Sequence, residues 1–553
     1  MPKDIVICAD GTGNTVVRGR GTNVFKLFEA VDINGHRKIS GRTPQVGFYT
    51  DGVGTEGNQY ARLLGSLFGF GLKRNVLHLY RDLAHSYEPG DKIFMFGFSR
   101  GAFTVRMLAG LIDVCGVLRV EETEGDSALL KRYSNLAYDA YLAIQPTTLE
   151  GRIKWGRSTK AAWLRFAELR DKVSQHPTPI EFIGVWDTVG ALGFPIEKVA
   201  TFWNRHIRRF KFARTDVKEN VTCARHALSI DDARASFHPM LWNNTGHADT
   251  KQVWFAGVHA NVGGGYPKQG MSLVSLDWMM AEAEARGLVF IDSLRDQYRD
   301  AQNVHDHIYD SRAGLRTYYR FKFRDLDKIC KQADVPLRIH ESVGERIFMG
   351  TELYAPGNVP SDFEIEPYRP GDLVGWWVAR LQHITHKTGD GEDLLDDVSV
   401  WRFLKKGCYW GMLVATMLIA VELGADAWAA SAGPARTGLD QLLLAVQDTT
   451  GTLSMFERGN REASELTGQG LAYSLSAPGI AGVVYRVVEA ALLLVGVAMT
   501  FYLISILARE RIYGHFREKW FQRVLAARNL RLPPDYPRSA EALAARAARD
   551  PAP

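Results

Sequence analysis

The stretch KIFMFGFSRGAFTVRML, residues 92–108, decides how this chain reads. The run from Lys92 to Phe98 is almost wholly apolar and short, as suits a strand buried on both faces. RGAFTVRML then sets apolar residues at helical spacing. Between the two stands Ser99, with Gly97 two residues before it and Gly101 two residues after. A serine on a sharp strand-to-helix turn needs small neighbours at those positions, because strand and helix close on each other there. The helix start also offers backbone N–H groups, that of Arg100 among them, to an oxyanion. Ser99 is therefore a candidate nucleophile. The alternative is an ordinary loop serine, and the rest of the chain must decide.

A nucleophilic serine needs a base, and the base needs an orienting carboxylate. On a parallel sheet these come from loops after strands, in the order serine, acid, histidine. Asp187 directly follows IEFIGVW (180–186), and His259 directly follows QVWFAGV (252–258) before the glycine-rich ANVGGGY. The order is met. Asp231 and Asp232, in ALSIDDARASF (227–237), compete for the acidic role. Arg234 offers them an ion-pair partner, and a substrate-binding or site-shaping role suits the three better. That stretch reads as either helix or strand, and His226, His238 and His247 have no clear strand before them.

The first strand-like run, DIVICA (4–9), ends in ADGTGNT (9–15). A glycine-rich loop at the carboxyl edge of a parallel sheet can present N–H groups to an anion. Gly11 and Thr12 are thus candidate oxyanion donors beside Arg100, with Asp10 shaping the site. Asp10 also resembles the nucleophile of aspartate-dependent phosphatases, but the usual second aspartate two positions on is missing.

QVGFYT (45–50) is a further strand-like run, and helical patterns lie between the strands in NVFKLFEAVD, KRNVLHLYRDLAHSY and SLVSLDWMMAEAEARG. This alternation predicts an α/β fold, doubly wound and hydrolase-like, with a mostly parallel sheet and helical insertions, notably over 120–176.

Composition narrows the class. Of 553 residues, 46% are hydrophobic and 23% charged, and the net charge is +5. This is an ordinary folding sequence, and nucleic acid is not an expected partner: there is no zinc-finger spacing, RNA-binding aromatic signature or long basic run. Cys8, Cys115, Cys223, Cys330 and Cys408 are widely spaced with no CxxC pair, which suits a reducing compartment. The N-terminal MPKDIVICADG reads as a strand rather than an export signal. No cofactor or metal is called for.

Two C-terminal runs predict a membrane hairpin. CYWGMLVATMLIAVELGADAW (408–428) carries Glu422 and Asp426 near its far end, whereas AALLLVGVAMTFYLISILA (490–508) holds 19 residues without a charge. A span needs about 20 apolar residues to cross about 30 Å of hydrocarbon. Arg402, Lys405 and Lys406 precede the first run, and Arg509, Arg511, Arg517 and Lys519 follow the second. The positive-inside rule then puts both outer flanks in the cytoplasm. The expected organisation is a catalytic domain over 1–365, a linker over 366–402, and a membrane hairpin over 403–510. Its spans are about 407–425 and 490–508, joined by a non-cytoplasmic loop, and a basic cytoplasmic tail covers 511–553. The expected location is the bacterial inner membrane, with the catalytic part and C-terminus facing the cytoplasm.

The ordered set DGTGN, YTDGVGT with FGFGLKRNV, YEPGDKIFMFGFSRGA, VWDTVGALG, ALSIDDARASF and WFAGVHANVGGGY resembles an uncharacterised bacterial α/β-hydrolase family. That family includes the catalytic domain of type VI secretion phospholipase effectors of the first class. The resemblance extends over roughly residues 3–360, through IHESVGERI and YAPGNVP. It implies a catalytic Ser99, Asp187 and His259, the three already chosen, and an acyl-ester or lipid substrate. Asn261 departs from the acidic residue many members carry after the histidine. The expected function is a membrane-anchored serine hydrolase, a phospholipase or esterase. A thioesterase, a peptidase, or a non-catalytic binding or scaffold module on the same fold are the alternatives.

Overall fold

The computed structural model describes residues 2–11, 21–37, 39–51, 67–121, 126–144, 163–190, 216–243, 246, 249–369, 372–387, 394–431, 480–532, 536 and 538–539. Eight strands form one sheet: β1 (Asp4–Ala9), β2 (Gln45–Thr50), β3 (Lys92–Phe98), β4 (Ile180–Trp186), β5 (Val221–Ser229), β6 (Asp249–Phe255), β7 (Arg338–His340) and β8 (Glu364–Glu366). Their spatial order is β8-β7-β6-β5-β4-β3-β1-β2. Every pairing is parallel.

The two faces of β3 show why its sequence is apolar throughout. Phe94, Phe96 and Phe98 pack with Val6, Phe182, Trp186 and Trp278 on one side. Ile93 and Met95 join Ile5, Ile7, Leu79 and Leu108 on the other. Burying each such side chain stabilises the fold by about 1.5–3 kcal/mol. The helix Leu67–Ser86 and the helix Arg100–Cys115 supply the second layer, and Gly270–Glu284 the first.

The strand order places a switch point beside β1, since the chain goes out to β2 on one side and returns to β3 on the other. In open α/β sheets, ligands bind in the crevice at the carboxyl ends of the strands around such a point. Register aligns those ends: Ala9 faces Gly97, Phe98 faces Trp186, Trp186 faces Ala227, and Ser229 faces Phe255. The residues that follow, from Asp10 and Ser99 to Asp187 and Ile230, therefore emerge along one edge.

Two sequence expectations give way here. His226 lies inside β5 and is fully buried, where its Nε2 accepts the Thr188 N–H at 3.1 Å. The expected linker is largely folded: Trp376–Lys387 is a helix, and Val374, Val378 and Ala379 cluster with Ile365 and Tyr536. The chain divides into two compact units, Met1–Asp397 with Tyr513–Pro553, and Val398–Ile512. The first unit thus extends past residue 365, because the helix buries an apolar stripe and the Trp520 indole N–H donates to the Pro356 carbonyl at 2.7 Å.

The second unit holds the helix Ser399–Ser431 and the first part of the helix Ile480–Asn529. They meet where a Cβ on Gly411 would lie 2.6 Å from the Phe501 ring. Val495, Met499, Leu503 and Leu507, spaced by four, are all exposed, as are Val414, Met417 and Leu418. Among the described residues no helix is long and apolar enough to cross a membrane. Side chains are described through Ile419 in the first run and from Leu494 in the second. The two expected spans thus find no support among the described residues. The side chains of residues 420–428 and 490–493, and the whole of residues 432–479, lie outside the described residues.

Candidate active site

Ser99 sits at the turn between β3 and the helix Arg100–Cys115 with φ 58° and ψ −117°. A non-glycine residue held in that region is strained by about 1–3 kcal/mol. What holds it is close packing: a Cβ on Gly97 would lie 2.7 Å from the backbone of Ala102. The Ser99 N–H donates to the Trp186 carbonyl at 3.0 Å, tying the turn to β4. Asp187, one residue further along β4, is also at positive φ (39°), and its N–H donates to the Ala227 carbonyl at 2.7 Å.

These turns bring the three chosen side chains together. The His259 Nε2 is 2.8 Å from the Ser99 Oγ, and its Nδ1 is 2.5 Å from the Asp187 Oδ2. The imidazole lies between Phe98, tilted against it at 4.6 Å between centroids, and Phe237, edge-on at 5.2 Å. Both rings limit its tilt. Burial pulls the His259 pKa below its ordinary value, against the opposing pull of the Asp187 hydrogen bond. The ring is then neutral at pH 7 and able to accept the Ser99 proton. Asp187 is fully buried, which alone would raise its pKa, yet the Arg324 guanidinium and His259 hold its carboxyl well below the usual carboxylate range.

Arg324 was invisible to the sequence reading. It donates to Asp187 through Nη1 at 2.6 Å and Nη2 at 2.9 Å, from 137 residues away. The Ser229 N–H adds a bond to Oδ1 at 3.0 Å. The Arg324 segment, YYRFKFRD, also carries Arg320 and Lys322, and nothing in the sequence singles out the one that turns inward.

The competing acids occupy the supporting layer. The Arg234 Nη2 donates to the Asp232 Oδ2 at 2.6 Å, while that oxygen accepts the His259 backbone N–H at 3.3 Å. The Arg234 guanidinium lies 3.4 Å from the centroid of the Phe237 ring, the ring that meets His259 edge-on. Asp231 accepts the Gly257 N–H at 2.6 Å and the Tyr354 hydroxyl at 2.8 Å. Burial raises its pKa to about 6. The Asn261 Oδ1 accepts the Val258 N–H at 3.3 Å, and its Nδ2 donates to the His307 carbonyl at 3.0 Å. All of these brace the turn that carries His259; none touches Ser99.

At the end of β1, Asp10 is buried, and burial raises its pKa to about 6. Its Oδ1 accepts the Gly11 N–H at 2.5 Å, and its Oδ2 accepts the Thr22 and Tyr49 hydroxyls at 2.7 Å each. The Gly11 amide, expected as an oxyanion donor, is therefore engaged by its neighbour's carboxylate. Thr12 lies outside the described residues. The Arg100 N–H belongs to the first turn of the helix that follows Ser99. Among the described residues no group of His, Cys, Asp or Glu is arranged to hold a metal ion.

The arrangement has the parts of an acyl-transfer site: a hydroxyl on a strained turn, a neutral imidazole, an ionised carboxylate behind it and a helix N-terminus beside it. Comparison with known proteins agrees in kind. Residues 3–282 match the family model described as the T6SS phospholipase effector Tle1-like catalytic domain. An uncharacterised Saccharomyces cerevisiae protein, YEL023C, is 29% identical over 253 residues, 43% of this chain and 33% of that one. The match thus spans a third of the yeast protein's length. A crystal structure of an uncharacterized Pseudomonas aeruginosa protein aligns with 70% of this chain and 59% of its own, at 17% identity and a TM-score of 0.30.

Proposed function

The chain belongs to the Tle1-like phospholipase effector catalytic-domain family, and on that premise we propose that it is a serine hydrolase cleaving acyl esters of lipids. The observation that carries the reading is the unbroken hydrogen-bonded line from the Ser99 Oγ through His259 to Asp187. His259 takes the Ser99 proton as the hydroxyl oxygen attacks the ester carbonyl. Asp187 fixes the ring tautomer and stabilises the imidazolium. The protonated His259 returns the proton to the leaving alcohol, and water repeats the cycle on the acyl-enzyme. The Arg100 N–H and the helix N-terminus offset the oxyanion charge, where losing one donor costs about 100-fold or more in rate.

The proposal includes attachment to the bacterial inner membrane, as a two-span anchor with the catalytic unit and C-terminus on the cytoplasmic side. The uncharged run 490–508 and the Lys and Arg flanks of the two runs in the sequence support it. A phospholipid or other lipid ester is then the substrate within reach.

Labelling the intact protein with a fluorophosphonate probe tests the chemistry: wild type is expected to label and Ser99→Ala to remain unlabelled. Absent labelling of wild type, or equal labelling of both, overturns it. Lipid profiling of wild type against Ser99→Ala identifies the ester. Alkaline carbonate extraction tests the anchor, which is lost if the protein is released to the supernatant.

A further inference from the structure

We infer that Arg324 is a positioning residue for this reaction: its guanidinium fixes the Asp187 carboxylate and, through it, the His259 ring. The inference rests on the serine-hydrolase reading above. Arg324 is fully buried. Its two terminal nitrogens grip the two Asp187 oxygens at 2.6 and 2.9 Å, the parallel fork that a guanidinium makes and an ammonium cannot.

The fork is itself held from two sides. Nη1 donates to the Ser229 carbonyl at 2.5 Å and to the Ser229 hydroxyl at 2.7 Å, and that hydroxyl lies 3.2 Å from the Asp187 Oδ2. Nη2 donates to the Phe237 carbonyl at 2.5 Å, the residue whose ring also abuts His259. The Asp187 Oδ2 is shared between the Arg324 Nη2 and the His259 Nδ1, so rotating the guanidinium swings the carboxylate that aims the imidazole. Arg324 lies beyond residues 3–282, which the family model matches. Its backbone is anchored there by the Asn358 Nδ2, which donates to the Arg324 and Ile230 carbonyls at 2.9 Å each. The later segment therefore closes the site from behind.

The charge matters as well as the grip. The groups facing His259 are Asp187 with Arg324, and Asp232 with Arg234; Asp231 braces the preceding turn. Each carboxylate against the ring has its own arginine, which offsets part of its field. Removing the Arg324 charge leaves Asp187 unbalanced, favours the imidazolium, and moves the acid limb of reactivity to higher pH.

The test is the rate of fluorophosphonate labelling at Ser99 against pH, on the intact detergent-solubilised protein, for wild type, Arg324→Gln and Arg324→Lys, with melting temperatures alongside. Arg324→Gln is expected to label about 10-fold more slowly or worse, with its acid limb raised by about one pH unit. Arg324→Lys keeps the charge and loses the fork, so its rate falls while its limb stays. A folded variant that labels at the wild-type rate overturns the assignment. So does a slowed Arg324→Gln with an unmoved limb, which marks a purely structural ion pair. If Arg324→Gln does not fold, Arg324→Lys decides: a full rate overturns the assignment and a slowed rate with an unmoved limb upholds it. Wild type that fails to label removes the serine-hydrolase reading itself, and this assignment with it.

Discussion

The Ala9 carbonyl occupies the space in which Gly101 would carry a side chain. A Cβ on Gly101 would lie 2.0 Å from the Ala9 oxygen and 2.5 Å from that of Asp10. The elbow glycine thus sets the distance between the end of β1 and the start of the helix after Ser99. The clashing atoms are backbone, so no rotamer change relieves them. Gly101→Ala is expected to lose about 1–3 kcal/mol or more of stability by overpacking, and to slow Ser99 labelling as the helix start moves off the β1 loop. Thermal melting and labelling of the same preparation check it; a variant that melts and labels like wild type defeats the packing argument.

Ser99 carries strain that only a side chain imposes. With φ 58° and ψ −117°, it occupies backbone space that glycine enters freely. Ser99→Gly and Ser99→Ala both remove the proposed nucleophile, yet they differ in strain. The glycine variant is expected to be more stable than the alanine variant by about 1 kcal/mol, despite glycine's larger unfolded-state entropy. Chemical denaturation of the two compares them directly. Equal stability, or a more stable alanine variant, contradicts the strain.

Much of this was legible because β1, β3 and β4 are largely apolar runs, each followed directly by a residue of the site or its support: Asp10, Ser99 and Asp187. β5 was ambiguous because VTCARHALS places Arg225 and His226 mid-strand. The fold tolerates them through partners distant in sequence: Arg225 is held by Glu282 at 2.6 Å and Asp249 at 2.8 Å. The last two strands, Arg338–His340 and Glu364–Glu366, are three residues each, too short for any period to show. Ser99, Asp187 and His259 carry local signatures at strand ends. Arg324 carries none, since its role depends on a fold that returns it 137 residues later to Asp187. The engaged Gly11 amide was equally hidden, because a motif does not say which acceptor its N–H meets.

The two ends of the relay titrate in different ranges. Burial pulls the His259 pKa below the ordinary value of about 6.5, outweighing Asp187. Reactivity needs the neutral ring, so labelling is expected to hold from pH 7 to below pH 6.5 before falling. Asp187 is depressed, with Arg324 and His259 overcoming its burial. Its contribution to stability is therefore present above the unfolded carboxylate value of about pH 4 and is lost only as pH falls below it. The acid loss of rate should precede this part of any acid loss of structure. Labelling rate and circular dichroism measured on one pH series check the order; an acid limb above pH 7 contradicts it.

Asp231 has the opposite sign. Burial lifts its pKa to about 6, with the Gly257 N–H and the Tyr354 hydroxyl pulling it back. Between about pH 4 and pH 6 the folded protein keeps a proton that the unfolded chain has released, so stability falls as pH rises through that window. Asp231→Asn removes the titration, and its amide oxygen can still accept from both donors. Relative to wild type, the variant should therefore gain stability on going from pH 4.5 to pH 7. The gain is bounded at about 3 kcal/mol by the two-unit shift, and is smaller because the residue is only partly screened from water. Because Asp231 braces the turn before His259 without touching Ser99, the labelling rate should change only a few-fold. Denaturation midpoints of both proteins at the two pH values provide the check. A stability gap that moves against the variant as pH rises shows that the carboxylate is held ionised at this turn.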